Sequence, residues 1–195
     1  PRKFKISATG CPDWCNYPEI NDVALTAAER EGEVGYTLRV GGGLSKEPHL
    51  AIPLDAFILP HQALPVVKAV AEIFRDQQEL RENRDRARLK YLFLKQGWTP
   101  DKFLDELQTR LDFTLFPGVA EKVPSGTLRD HAGVHPQKQA GLAYVGASVL
   151  RGRMTGEQLE AAAELAERFG SGNLRATVSQ NLILVDVPYN KTGEL

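Results

Sequence analysis

The 195-residue chain has little cysteine, with 2 residues, a single methionine and 2 tryptophans, and it carries no excess of either charge. Two cysteines exclude a disulfide-scaffold protein and fit a reducing, cytoplasmic setting. Lys and Arg total 24 against 25 Asp and Glu, a formal net charge of −1. A general nucleic-acid or membrane-surface binder would be more basic, so any cationic work here is local. No apolar run approaches the ~18 residues of a membrane-spanning helix. There is no G-x-G-x-x-G fingerprint, P-loop or G-x-S-x-G elbow. His49, His61, His131 and His135 show no metal-ligand spacing, so no metal ligand is assigned. The chain starts Pro1-Arg2-Lys3, without Met or a signal-peptide pattern, and reads as a piece of something longer. What it does have is ordinary globular usage, 42% hydrophobic and 25% charged, and length for one domain or two small ones.

Periodicity divides the chain. Arg2 to Ala8 alternates, with Phe4, Ile6 and Ala8 on one face and Lys3, Lys5 and Ser7 on the other, as in a half-buried strand. Asp22–Ala28 and Val34–Val40 read as strands joined around Gly32, and Gly41-Gly42-Gly43 ends the pattern. Helical spacing predicts His61 to about Gln77, then Glu82 to Gln96 with Gly97 as its stop. A third helix starts at Thr99-Pro100-Asp101, with a capping hydroxyl, Pro in the first turn and an early acid. Phe113 to His131 has no period and reads as a linker region. Gly141–Leu150 reads as a strand, Thr155–Gly170 as a capped helix with Leu159, Ala162, Ala163, Ala166 and Phe169 inward, and Leu174–Val187 as extended with a break near Gln180. The expected class is α+β: a mixed sheet with helices, followed by half of a ferredoxin-like β-α-β unit.

Four features can carry chemistry. Lys3 and Lys5, two apart on a strand, project to one face roughly 6–7 Å apart, where paired ammonium groups can grip a small oxyanion and hand it protons. Two solvated lysines explain the same pattern. Arg81, Arg84 and Arg88 would share a helical face suited to carboxylate or phosphate, or simply a solvated one paired with Glu79, Glu82 and Asp85. Cys11-Pro-Asp-Trp-Cys15 is a C-x3-C loop, but an iron–sulfur cluster or a four-cysteine zinc site needs more thiolates than one copy supplies. Gly41–Gly43 permits a close backbone approach or a turn.

Taken in order, these stretches resemble the sirohaem-dependent nitrite and sulfite reductases. The matching residues are Pro1–Ile6, Glu19–Asp22, Val40–Leu44, Ile52–Ala56, Phe74–Asp76 and Asn83–Arg88. They continue with Gly133–Gln139, Tyr144–Gly146, Gly152-Arg153 and Leu174–Asn181. The resemblance implies an enzyme of two pseudo-symmetric halves. Its sirohaem and [4Fe-4S] cluster reduce sulfite or nitrite by six electrons supplied by ferredoxin or a flavoprotein. Residues 1–112 would end the first half, 113–125 would link, and 126–195 would open the second. By resemblance Lys3 and Lys5 are the catalytic lysines. Asn83, Arg84 and Arg88 meet the sirohaem carboxylates, and Asn21 with Gly41, Gly42 and Gly43 line that cofactor. Keeping Lys at position 5, where nitrite-type members commonly carry Asn, tilts the substrate to sulfite. The family's cluster cysteines would lie beyond the chain and its further anion-binding arginines before it. Cys11 and Cys15 would then be a pseudo-symmetric relic, and the piece alone would bind neither cofactor and be inactive. The alternative is a non-catalytic anion- or metal-binding module derived from this family. Neither nucleic acid nor membrane is an expected partner.

Overall fold

The computed structural model describes residues 3–126 and 130–195. The chain divides into two units, 1–125 and 126–195.

The first unit is built on a four-stranded sheet of order β1-β2-β3-β4, with β1 (Ile6–Thr9), β2 (Val23–Arg30), β3 (Glu33–Val40) and β4 (Ile52–Ile58). β1 runs parallel to β2, and the other neighbours are antiparallel. The β2–β3 hairpin closes on Glu31 and Gly32, both at positive φ, as a two-residue turn requires. Period-2 alternation sorts the sheet's faces. Val23, Leu25, Leu38, Val40, Leu54, Ala56 and Ile58 enter one hydrophobic cluster. Helices α1 (Ala63–Asp76) and α4 (Pro100–Gln108) cover that face, adding Val66, Val70, Ile73, Phe74, Phe103 and Leu107. The Thr99 hydroxyl caps α4 by accepting from Lys102 N at 3.1 Å, as expected. Thr37, Arg39 and Phe57 alternate onto the other face, where the Cys11–Tyr17 loop seats the buried Trp14 beneath the Arg39 guanidinium.

Three expectations change here. The N-terminal strand is shorter, Ile6–Thr9, and its faces are reversed: Ile6 is 55% exposed while Thr9 is buried. As the edge strand, β1 shows one side to solvent. Phe4, ahead of it, stacks on Phe74 at 5.6 Å, and Arg2 lies outside the described residues. The helix expected over Glu82–Gln96 breaks into α2 (Glu79–Glu82), a 3-10 turn (Arg84–Arg86) and α3 (Tyr91–Lys95). Asn83 turns extended and its side chain accepts from Asp85 N, capping the turn. The break aims Arg88 and Lys90 inward, which a continuous helix carrying Arg81, Arg84 and Arg88 on one face would not do. The 113–125 stretch, expected as a linker, belongs to the first unit. Gln108 anchors its start through Phe113 O and Leu115 N, Phe116 bridges to Phe57, and Gly118 N donates to Asp55.

The second unit carries an antiparallel sheet of order β5-β6-β8-β7: β5 (Gly133–Pro136), β6 (Leu142–Ala147), β7 (Leu174–Ala176) and β8 (Leu182–Pro188). The break near Gln180 is real, with φ of 62° at that residue. Helix α5 (Gly156–Phe169) starts on the Thr155–Gln158 capping box. Only the C-terminal part of its apolar stripe is buried: Ala166 and Phe169 pack on Leu184 and Val187, while Leu159 is 51% exposed.

Candidate active site

The first unit gathers Lys5, Asn21, Asp22, Gly41–Gly43 and Arg88 at the N-terminal ends of β1 and β2. The β1–β2 pairing starts this assembly, with Val23 N donating to Lys5 O at 3.0 Å. The Asp22 carboxylate, fully buried, accepts from Lys5 N at 2.8 Å. It also accepts from Arg88 Nη2 at 2.9 and 3.1 Å and from Arg88 Nε at 3.2 Å. Lys5 is half-buried, and its Nζ donates to Ile20 O at 2.6 Å. Since an ammonium has three N–H donors, two are not taken by any of the described residues and are available to a ligand. Burial lowers the Lys5 pKa, and the Lys3 and Arg88 charges lower it further against the opposing pull of Asp22. Lys3 itself is exposed.

The glycine run closes the floor of this assembly. Gly41 N donates to Asp22 O and Gly42 N to Asn21 O, each at 2.9 Å, while Gly43 pairs with His49. Gly41 sits at φ +81°, and a Cβ at Gly42 would lie 2.5 Å from Glu19 O, so the run needs glycine for its turn and for close backbone approach. Asn21 Nδ2 donates to Tyr17 O at 2.8 Å and so ties down its own loop.

Asn83 and Arg84, expected on the same surface as Arg88, are exposed on the 3-10 turn, whereas Arg88 is buried and its guanidinium is committed to Asp22. Arg81 lies apart, donating to Phe74 O at 2.6 Å with its guanidinium over the Phe74 ring. Two residues take roles the motifs did not give them. Asp22 stood inside the quoted Glu19–Asp22 stretch, but a buried counter-ion has no spacing signature. Lys90, fully buried, donates from Nζ to the carbonyls of Gly43, Ser45 and Glu47. Its signal was its place at the end of the basic run Arg81, Arg84, Arg86, Arg88 and Lys90, read there as a surface or anion-facing group rather than a buried one.

Residues 1–115 match the family of the nitrite and sulphite reductase 4Fe-4S domain. The chain belongs to that family. Residues 135–195 match the nitrite/sulfite reductase ferredoxin-like half domain, consistent with the α+β reading. Among its relatives, the Arabidopsis thaliana chloroplastic ferredoxin–nitrite reductase is 37% identical over 203 residues, covering 100% of this chain and 33% of that protein. The assimilatory ferredoxin-dependent nitrite reductase of Haloferax mediterranei is 39% identical over 213 residues, covering 100% of this chain and 36% of that protein. The solved structure of the Mycobacterium tuberculosis NirA protein superposes with a TM-score of 0.83 at 36% identity, covering 96% of this chain and 33% of that one. The chain thus spans about a third of the length of these relatives.

The family's two cofactors fit these residues differently. A [4Fe-4S] cluster takes four thiolates, and this stretch supplies two cysteines, so these residues by themselves do not complete its ligand set. For the carboxylate-rimmed sirohaem macrocycle, exposed Asn83 and Arg84 would be available as polar and cationic donors, with exposed Lys3 and half-buried Lys5 free to face an anion beside it. Arg88 fits that role only indirectly, because Asp22 already neutralises it. Among the described residues, no helix is long and apolar enough to cross a membrane.

Proposed function

We propose that this chain is the central part of a ferredoxin-dependent nitrite reductase and contributes the lysines that hold the substrate anion and protonate it. The observation that carries the reading is Lys5: a half-buried ammonium with a lowered pKa, its backbone fixed to a buried carboxylate and its neighbour Lys3 cationic. Such a group is preorganised, keeps two N–H donors that no described residue takes, and gives up a proton more readily than a solvated lysine. Sirohaem, when bound, would supply electrons to the nitrogen of nitrite. Lys3 and Lys5 act on the oxygens, lowering their negative charge and delivering the protons with which each leaves as water. Asn83 and Arg84 would meet sirohaem carboxylates, Gly41–Gly43 would let the backbone approach the ring, and Arg88 would act through Asp22 by setting the position of Lys5.

Substrate and donor follow the relatives. Lys5 alone tilts toward sulfite, because a second cation favours the more highly charged oxyanion. The related proteins from Arabidopsis and Haloferax are named as nitrite reductases that use ferredoxin, which moves the reading to nitrite and away from a flavoprotein donor. The test is turnover of the full-length protein with reduced ferredoxin. Nitrite reduction that Lys5→Met and Lys3→Met each depress by at least tenfold supports the reading. Full nitrite turnover in the Lys5→Met protein overturns it.

A further inference from the structure

Cys11 and Cys15 take no part in the site described above, and they lie on the sheet face away from α1 and α4. The loop between them is tightly coiled. Trp14 N donates to Cys11 O at 3.1 Å and Tyr17 N to Trp14 O at 2.8 Å. Trp14 and Tyr17 both adopt left-handed backbone, at φ 51° and 50°, a conformation that non-glycine residues adopt only when their surroundings impose it. The coil brings the two Sγ atoms within 4.8 Å of one another, and the thiols share a hydrogen bond. In a bonded pair the sulfurs lie about 2 Å apart, so the coil already holds the two thiols on one side of the loop within reach of each other but must draw them closer to join them.

A cavity of about 430 Å³ opens beside this pair, lined by Cys11, Trp14, Thr26, Thr37, Glu121 and Lys122. Its size falls within the range of small-molecule pockets. The Thr26 hydroxyl is buried in its wall with no hydrogen-bond partner among the described residues. The two cysteines are not equivalent toward this space: Cys11 lines it and Cys15 does not.

We propose that Cys11 and Cys15 form a reversible intramolecular disulfide by exchange with a low-molecular-weight disulfide that enters this cavity. The Cys11 thiolate attacks one sulfur of the incoming disulfide. That S–S bond breaks, and its other half leaves as a thiolate and takes up a proton. Cys15 then loses its proton and attacks the Cys11 sulfur, which breaks the mixed disulfide and releases the second small thiol. Two cysteine thiols are oxidised by two electrons in all, and one small disulfide is reduced to two thiols. Access assigns the first attack to Cys11. Burial and the neighbouring Cys11 push the Cys15 thiol up to about 11, so Cys15 keeps its proton at neutral pH and resolves the mixed disulfide second. In a reducing compartment such a bond forms transiently and reports redox poise.

Both cysteines fall in one tryptic peptide, Ile6 to Arg30, so other cysteines of the full-length protein do not interfere. The full-length protein is equilibrated without oxygen across glutathione/glutathione-disulfide ratios, quenched in acid, alkylated, digested and weighed. The expected result is a doubly alkylated peptide at reducing ratios and an unalkylated peptide, lighter by two hydrogens, at oxidising ones. Cys15→Ser stops at the glutathione adduct on Cys11, and Cys11→Ser gives at least tenfold less adduct on Cys15. A wild-type peptide that stays doubly alkylated at every ratio overturns the proposal, as does one that ends as glutathione adducts without the internal bond. Equal adduct yields in the two variants overturn the assigned order of attack.

Discussion

Arg88 holds Asp22 through three contacts between 2.9 and 3.2 Å, across 66 residues of sequence, with both side chains nearly sealed from solvent. Breaking one side of such a pair leaves a buried charge uncompensated. Arg88→Met is therefore expected to lower unfolding stability by about 3–5 kcal/mol in urea titrations. Arg88→Met combined with Asp22→Asn is expected to lose less than Arg88→Met alone, because no uncompensated carboxylate is left at position 22 and the amide oxygen still accepts from Lys5 N. A double variant less stable than the single one would show that Asp22 is not the group Arg88 compensates.

Lys90 makes a different kind of buried contact: one ammonium against the backbone carbonyls of Gly43, Ser45 and Glu47. Lys90→Met strands those acceptors and is expected to remove about 2 kcal/mol of stability. Hydrogen exchange should localise the loosening to residues 43–47. Protection unchanged there, with loss elsewhere, would argue against the role.

The Lys3–Lys5 pair makes a pH prediction. The Lys3 charge lowers the Lys5 pKa. Removing that charge lets the Lys5 pKa rise, so Lys5 stays protonated to higher pH. In Lys3→Met the alkaline limb of the nitrite kcat/KM profile is expected to move to higher pH, with an overall loss in rate. A limb that stays in place would remove Lys5 as the titrating acid.

The same position bears on substrate choice. Lys5→Asn is expected to depress sulfite turnover at least tenfold more than nitrite turnover, since a charge-assisted hydrogen bond is worth about 1.5–3 kcal/mol and sulfite carries the greater charge. Equal losses on the two substrates would mean that position 5 does not discriminate between them.

Asp76 closes α1 against two arginines. Hydrogen bonds from Arg75 and then Arg110 hold its carboxyl at about 2, well below the usual 3.8. Because the folded value is the lower one, the contribution to stability is present above pH 3.8 and disappears as pH falls toward 2. Asp76→Asn is expected to lower the thermal midpoint at neutral pH, with the wild-type and variant curves converging near pH 2. A constant gap over that interval would contradict the assignment.

The sequence was readable where a local rule decides the outcome. The Thr99 and Thr155 caps, the β2 and β3 alternation and the turn at Gln180 all follow from residues within a few positions of each other. It was unreadable where distant partners decide. The helical spacing of 82–96 gave way because Arg88 finds Asp22 and Lys90 finds the 43–47 backbone, partners more than 40 residues away. The same holds within the candidate site. Lys3, Lys5 and the glycine run were visible as motifs, but the burial of Arg88 depends on a counter-charge that spacing does not reveal. The outward turn of Leu159 likewise depends on what packs over α5, which helical periodicity does not specify.

The segment after Phe113 has a consequence for the rate at which the first unit comes apart. Glu121 accepts from Arg39 Nη2 at 2.6 Å and Nε at 2.9 Å, and from the Thr37 hydroxyl at 2.8 Å, across 82 to 84 residues. Closing so long a loop carries an entropic cost that these contacts must offset. Interactions absent from the folding transition state slow unfolding more than they speed folding. The arm is therefore expected to act as a kinetic latch, so that Glu121→Gln speeds unfolding with little change in the folding rate.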